Sequence, residues 1–173
     1  MKRLTAIAIV LVMLCTLLVS CKKDTTVPDG MKLASGDSAT YYLYIPEDWV
    51  VDLSTAATSA HVSNSDKSNI SVMAWSLPNT DDTVDTWHEA AVEEYKITFT
   101  DYEEVSATEA TVSGVFAKDY VYTAKLGGEE RQYRQVAAVK SGIVYVITYS
   151  TTPELFDDYL DEVDSIISEF IIK

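Results

Sequence analysis

The stretch from residue 116 to residue 150, FAKDYVYTAKLGGEERQYRQVAAVKSGIVYVITYS, decides the fold. It contains three β-prone runs: Phe116 to Leu126, Arg131 to Lys140 and Ile143 to Ser150. The runs are joined by Gly127-Gly128 and Ser141-Gly142. Short glycine-containing connections between such runs indicate tight hairpin turns. The stretch therefore predicts an antiparallel meander of three strands.

The third of these strands is apolar on both of its faces. One face carries Ile143, Tyr145, Ile147 and Tyr149, and the other carries Val144, Val146 and Thr148. A strand whose two faces are both apolar is covered on both sides. We therefore predict that it lies at the centre of a sheet with another layer on each side.

Two segments with helical spacing supply those layers. The first begins after Asp82 or Thr83, either of which can cap a helix, and extends to about Lys96. The second extends from Pro153 to Glu169, because proline suits the first helical position. The second has the stronger apolar stripe, which consists of Phe156, Tyr159, Leu160, Val163, Ile166, Ile167 and Phe170.

Further strands are predicted at 41–45, around 60–63, at 69–77 and at 102–107. Together with the meander they indicate an α+β fold, an antiparallel β-sheet of about six strands with helices packed on its faces. A chain of 173 residues is expected to form a single domain, which we place at residues 39–173.

The N-terminus has the features of an export signal. Lys2-Arg3 precedes an apolar run, Leu4 to Val19, of about sixteen residues, which is shorter than the roughly 20 that span a bilayer comfortably. The run ends in Leu18-Val19-Ser20-Cys21, which resembles the lipobox of bacterial lipoproteins. An ordinary signal peptide or an uncleaved anchor that contains a cysteine is the alternative.

The lipobox resemblance implies a signal peptide at residues 1–20, cleavage between Ser20 and Cys21, and a diacylglyceryl group on the Cys21 thiol. Two acyl chains are enough for stable anchoring on the outer side of the cytoplasmic membrane or in the periplasm. Residues 21–38 are then the lipidated cysteine and a polar tether rich in turn formers.

The composition excludes several classes of function. Removing Lys2 and Arg3 with the leader leaves 11 basic and 27 acidic side chains, a net charge of −16. A surface with that charge repels nucleic acid. The only other cysteine, Cys15, lies in the leader, so the mature chain forms no internal disulfide and no thiolate metal site.

No catalytic motif is recognisable, and we expect no enzymatic activity, cofactor or metal. The two histidines, His61 and His88, have no second ligand at motif spacing, and no serine lies in a G-x-S-x-G elbow. The acidic residues of the C-terminal helix lack the spacing of a calcium-binding loop. Tyrosines in predicted strands are interpreted mainly as core, with a binding surface as the alternative: Tyr41, Tyr42, Tyr44, Tyr120, Tyr122, Tyr133, Tyr145 and Tyr149.

The chain from about residue 40 to residue 173 resembles the PsbP-like superfamily, which includes a photosystem II extrinsic subunit, a Ran-binding import factor and the DcrB lipoproteins. The resemblance rests on segments in a fixed order, namely Tyr42 to Trp49, Asn69 to Val72, the helix with Trp87, Gly114 to Ala117, Tyr120 to Tyr122, Tyr133 to Gln135, Tyr145 to Tyr149 and Ser168 to Phe170. It implies an α/β/α sandwich and a non-enzymatic binding or assembly role. The partner-binding residues of those proteins have no matching positions here.

Three functional hypotheses follow. The first is a membrane-anchored binding or accessory factor with an envelope protein as its partner. The second is a hydrolase, which requires His61 or His88 to meet a serine and a carboxylate at hydrogen-bonding distance. The third is a carrier of lipid or small molecules, which requires an apolar cavity between the sheet and a helix.

Overall fold

The computed structural model describes residues 26–173. The strands are β1 (Met31–Leu33), β2 (Tyr41–Tyr42), β3 (Tyr44–Pro46), β4 (Val50–Asp52), β5 (Thr58–His61), β6 (Asn69–Ser76), β7 (Thr100–Val112), β8 (Val115–Leu126), β9 (Glu129–Lys140), β10 (Ile143–Thr151) and β11 (Ile171–Ile172). The helices are α1 (Val84–Thr98) and α2 (Leu160–Glu169), with 3-10 turns at Pro153–Leu155 and Asp157–Tyr159.

Seven strands form one antiparallel sheet in the order β4-β5-β6-β10-β9-β8-β7. The strand predicted to be central, β10, lies between β6 and β9 and is almost entirely buried. The sheet has seven strands rather than about six because Val50–Asp52 adds a short edge strand.

The sheet is covered by a different set of elements on each face. The α2 face carries α2 and the N-terminal strands, with Trp49, Ile166 and Phe170 buried among them. The α1 face carries α1, whose Trp87 and Ala91 pack in one cluster with residues of β8, β9 and β10. This arrangement confirms the α/β/α sandwich.

Three two-residue turns build the long meander. Gly127 and Gly128 have φ of 62° and 90°, and Ser141 and Gly142 have φ of 53° and 74°. Two successive positive φ values favour a turn whose twist matches that of the flanking strands. Ser113-Gly114 makes a third turn of the same kind, with φ of 52° and 75°, which joins β7 to β8 and was not anticipated.

The prediction of a flexible tether at residues 22–38 is wrong for the part from residue 31 onward. Met31–Leu33 is a strand that pairs with Tyr44–Pro46, so the folded domain begins well before residue 39. Ser35 is buried, and its hydroxyl accepts a hydrogen bond from the Leu43 amide. The single strand expected at 41–45 is divided at Leu43, because β2 pairs with β11 whereas β3 pairs with β1.

The C-terminal helix begins later than the sequence predicted. Pro153 starts a 3-10 turn, a second such turn follows, and the α-helix begins only at Leu160. Phe156 and Tyr159 are three residues apart, a spacing that fits the three residues per turn of a 3-10 helix. By contrast, α1 begins at the predicted N-cap: the Thr83 hydroxyl accepts from the Thr86 amide and the Thr86 hydroxyl accepts from the Thr83 amide.

Between residues 26 and 173, no helix combines the length and apolar character that crossing a membrane requires.

Candidate functional site

A groove lies where α1 stops covering the sheet. Successive side chains of a strand point to opposite faces, so Ser71, Met73 and Trp75 of β6 lie on the α1 face while Ile70 and Val72 are buried on the α2 face. Met73 is 55% exposed and Trp75 is 40% exposed. The strand next to the central one therefore presents large apolar side chains that α1 leaves partly uncovered.

We call the space between α1 and strands β6, β10 and β9 the α1 groove. Its volume is about 610 Å³, which is within the range of small-molecule and peptide-side-chain sites. It is lined by Ser71, Met73, Trp75, Leu77, Pro78, Asn79, Asp82, Thr86, Trp87, Ala90, Ala91, Glu94, Tyr95, Gln135, Val146 and Thr148.

Helix α1 runs antiparallel to β6 along the groove. At one end Trp87 contacts Trp75 edge to face, with ring centroids 6.2 Å apart. At the other end Tyr95 reaches Gln135, beside the β10 residue Thr148 that pairs with Ser71. Trp87 and Tyr95 are eight residues apart, so these two side chains start about 12 Å apart along the helix, and the lining continues beyond Trp87 to Asp82.

The end near Trp75 is apolar. Met73, Trp75, Leu77, Pro78 and Trp87 all line it. Exposed apolar side chains that adjoin one another mark interaction sites more often than isolated ones do. This end of the α1 groove can bind an apolar side chain or chain segment.

The end near Tyr95 is polar and held rigidly. The Tyr95 hydroxyl donates to Gln135 Oε1 at 3.0 Å, and Gln135 Nε2 donates to Thr148 Oγ1 at 3.1 Å. Gln135 is buried. Burial raises the pKa of Tyr95, although the hydrogen bond to Gln135 opposes the shift, so this hydroxyl stays neutral at physiological pH.

The charged residues that line the groove are both acidic. Asp82 lies just before α1 at the apolar end and accepts from the Asn79 amide at 3.1 Å. Glu94 lies on α1 near the polar end and is exposed. The lining of this groove contains no lysine, arginine or histidine, so its field favours cationic over anionic ligands.

Neither histidine is placed for hydrolysis. His88 stacks on Tyr120 with ring centroids 3.5 Å apart, and its Nε2 lies 3.0 Å from Glu104 Oε2. His61 Nε2 lies 3.3 Å from Lys67 Nζ. Within residues 26–173 no serine hydroxyl forms a hydrogen bond with either ring, so the arrangement that the hydrolase hypothesis requires is not present there.

The structure places most of the tyrosine side chains in the core. Of the eight strand tyrosines, seven are buried and only Tyr42 is partly exposed, and it stacks on Tyr44. A cluster of three exposed strand tyrosines, which a tyrosine binding surface needs, is absent from the described part of the chain. The interpretation as core is the one that the structure supports.

The predicted processing residues, Ser20 and Cys21, lie outside the described residues. Among those that are described, no three His, Cys, Asp or Glu side chains come together in a way that could hold a metal ion. The groove residues Met73, Trp75 and Glu94 were not singled out from the sequence. The alternation along β6, where Met73 and Trp75 share one face with Ser71, is the sequence feature that could have identified the first two.

The fold has known relatives. At a TM-score of 0.62 and 18% identity, the structure resembles cyanobacterial PsbP (CyanoP) from Synechocystis sp. PCC 6803, covering 91% of this chain and 99% of that one. It also resembles LpqN, a protein involved in cell envelope biogenesis of Mycobacterium tuberculosis, with a TM-score of 0.60, 17% identity, and coverage of 83% and 90%.

A third solved structure, a protein of unknown function and putative regulator from Pseudomonas aeruginosa, gives a TM-score of 0.55 at 17% identity, with 78% and 92% of the two chains covered. Comparison with curated proteins gives no significant match. The model of a sequence family described as PsbP-like protein matches residues 41–172. That match spans most of the described domain, and the chain belongs to the PsbP-like family.

Proposed function

We propose that this chain is a lipid-anchored, non-enzymatic accessory protein that binds an envelope partner outside the cytoplasm, and that it does so through the α1 groove. The observation that carries the proposal is the exposure of Met73 and Trp75 on the groove floor. Exposing these apolar side chains to water is unfavourable, and a partner that covered them would gain the corresponding free energy.

The leader sequence and the structural similarity to an envelope protein both support the extracytoplasmic location. The lipobox ends at Cys21, and the structural relative LpqN is a protein of cell envelope biogenesis. We expect Cys21→Ser to abolish incorporation of a tagged fatty acid during metabolic labelling. Labelling of this variant at the level of the unaltered protein would contradict the anchor.

A carrier of small apolar molecules is the second candidate, because an apolar space between the sheet and a helix is the feature that such a carrier needs. The α1 groove is such a space, with a volume of about 610 Å³. Mass spectrometry of organic extracts from the protein purified out of its native membrane tests this candidate. A stoichiometric co-purifying lipid would favour a carrier over a partner-binding protein.

The partner-binding function is tested by cross-linking in native membranes followed by affinity capture. Met73→Glu places a charge on the groove floor, and Leu126→Glu places the same charge at the β8–β9 turn on a side chain of matched exposure, 51% against 55%. We expect Met73→Glu to remove the groove-dependent partner from the captured proteins and Leu126→Glu to retain it. Identical recovery with both variants would show that the groove is not the binding surface.

A further inference from the structure

The lining of the α1 groove also specifies the chemistry of what binds there, an inference that rests on the proposed function. We infer that the occupant is an extended peptide segment of the partner that carries apolar side chains between two basic side chains.

Two acidic residues, Asp82 and Glu94, set the charge of the α1 groove. These carboxylates are the charged side chains of the lining, and one lies toward each end of the groove. The described domain around them is also strongly acidic. An anionic amphiphile such as a fatty acid or an acidic phospholipid would therefore be repelled, whereas a ligand with positive groups is attracted.

The distance between the two acidic residues follows from the rise per residue of the helix. Asp82 and Glu94 are twelve residues apart and Asp82 lies next to the helix N-cap, so the two are separated by about 18 Å. An extended peptide rises about 3.3 Å per residue, so five or six residues span that distance. Two basic side chains five or six positions apart in a partner segment would each reach one carboxylate.

The space between the two carboxylates is apolar toward Trp75 and polar toward Tyr95. Met73, Trp75 and Trp87 offer an apolar and aromatic surface at one end, and the Tyr95 hydroxyl and Gln135 amide fix a polar surface at the other. Alternate side chains of an extended peptide point to the same side, so apolar residues two positions apart can both face the groove floor. The aromatic faces can also attract a basic side chain directly.

The test uses full-length protein in neutral phosphatidylcholine nanodiscs and three fluorescent heptapeptides measured by anisotropy. The first is Lys-Ser-Leu-Ser-Phe-Ser-Lys with blocked ends, and the other two replace both lysines with glutamine or with glutamate. We expect the lysine peptide to bind about fivefold more tightly than the glutamine peptide, and the glutamate peptide to bind most weakly. In 1 M salt, where the Debye length is about 3 Å, the difference should disappear.

Variants assign this preference to the groove. Asp82→Asn with Glu94→Gln should abolish the difference between the lysine and glutamine peptides. Glu89→Gln with Glu109→Gln removes the same charge from exposed positions outside the groove and should preserve the difference. Asparagine at position 82 can still accept the bond from the Asn79 amide, and Glu94→Gln alone repeats the test without changing that turn.

Each other outcome overturns the inference in a way that separates it from the proposed function. Equal binding of the lysine and glutamine peptides, with both lost in Met73→Glu, would leave the groove as a binding site and refute the charge preference. Displacement of the lysine peptide by decanoate would assign the groove to an anionic lipid. Absence of binding by all three peptides would reject a peptide of this class, while the pull-down with Met73→Glu would still decide whether the groove binds a partner.

Discussion

The two faces of the sheet bury their apolar residues to very different degrees. On the α2 face, Ile70, Val163, Ile166 and Phe170 are fully buried. On the α1 face, helix residues such as Trp87 are buried, but Met73 on the adjoining strand is more than half exposed. One face is a closed core, and the other is a core with an open margin.

Geometry explains why the α1 face is left open. Seven strands spaced about 4.8 Å apart make a sheet about 29 Å wide, whereas a helix with its side chains is about 10–12 Å across. On the α2 face the N-terminal strands and β11 add to the cover that α2 provides. On the α1 face a single helix lies over β8, β9 and β10.

The part of the α1 face that the helix leaves uncovered has different side chains on β4 and β5 than on β6. On β4 and β5, the residues that share this face are Val50, Asp52, Ser59 and His61, because Val50 pairs with His61, Asp52 pairs with Ser59, and Ser59 pairs with Ser71. On β6, next to the helix, they are Met73 and Trp75. Three of the four residues on β4 and β5 are polar, whereas Met73 and Trp75 beside α1 are both apolar and partly exposed. This apolar pair is the feature on which the proposed binding surface rests.

The largest effect expected is on the closed face. Phe170 is fully buried and stacks on Tyr41 with ring centroids 5.4 Å apart. Phe170→Ala should lower the free energy of unfolding by about 3–5 kcal/mol, because it removes buried area and leaves a cavity. Trp75→Ala on the open margin should cost only about 1 kcal/mol. Urea unfolding measures both values, and equal losses would show that the two faces contribute alike.

The next effect concerns the charged contact between the sheet and α2. The single Arg134 Nε–H is shared between the two carboxylate oxygens of Asp119, and Nη2 donates to Asp119 Oδ2 at 2.9 Å. Arg134 Nη1 donates to Asp164 on α2 at 2.6 Å. The Arg134 and Asp119 side chains are only 18% and 16% exposed. Arg134→Met should therefore cost about 2–3 kcal/mol, because it leaves a poorly hydrated carboxylate without its partner.

The control for this change is the exposed pair of Lys96 and Glu93 on α1. Lys96→Met should change the free energy of unfolding by less than about 0.5 kcal/mol, because such surface pairs contribute little. If the two variants unfold at the same urea concentration, the Arg134 contact is no stronger than a surface pair.

Much of this contrast between faces could be predicted from the sequence. The alternation of Tyr145 and Ile147 with Val144 and Val146 identified β10 as a strand covered on both sides, and Gly127-Gly128 identified a turn. The Ser113-Gly114 turn was missed although it repeats the dipeptide at 141–142. The strand before it, β7, is an exposed edge with acidic residues and lacks the apolar alternation that reveals an inner strand.

The groove could not be predicted in the same way. The pattern along β6 shows which side chains share a face, but not how far a helix will extend over them. That extent depends on where the seven residues between Ser76 and Val84 place the start of α1. The start of α2 was missed for a related reason: the apolar spacing around Phe156 and Tyr159 fits a 3-10 turn as well as an α-helix.

A pH-dependent effect of about 1 kcal/mol is expected at the rim of the closed face. Tyr159, in the turn before α2, donates a hydrogen bond to Asp66. Burial raises the pKa of Asp66, but the hydrogen bonds from Tyr159 and Ser68 outweigh that effect, so the pKa lies below its ordinary value of 3.8. An aspartate with a lowered pKa stabilises the fold above the unfolded pKa and loses that contribution as the pH falls through the folded one.

Tyr159→Phe should therefore lower the free energy of unfolding by about 1 kcal/mol at pH 7, a value kept small because Asp66 is partly exposed to solvent. The deficit should narrow as the pH falls below 3.8, the ordinary pKa of an aspartate. Urea unfolding at several pH values follows it. A deficit that stays constant down to pH 3 would mean that the tyrosine acts through packing on Trp49, its edge-to-face neighbour, and not through the carboxylate.

The smallest change in stability is expected from Met73→Ser. This variant also distinguishes the two faces most clearly, because it should affect binding of a dye and not the free energy of unfolding. Because Met73 is 55% exposed, its loss should change the free energy of unfolding by less than about 0.5 kcal/mol. The same change should reduce the fluorescence of the neutral dye Nile red bound to the folded protein, because it removes part of the apolar groove floor. Leu126→Ser, at a side chain of similar exposure outside the groove, should leave the dye signal unchanged. Substituting a residue of the closed face lowers the free energy of unfolding. If Met73→Ser lowers the dye signal without lowering the free energy of unfolding, the apolar side chain of Met73 contributes to binding and not to stability. If both serine variants reduced the dye signal equally, Met73 would be an ordinary exposed side chain, and the open margin would lose its distinction from the rest of the surface.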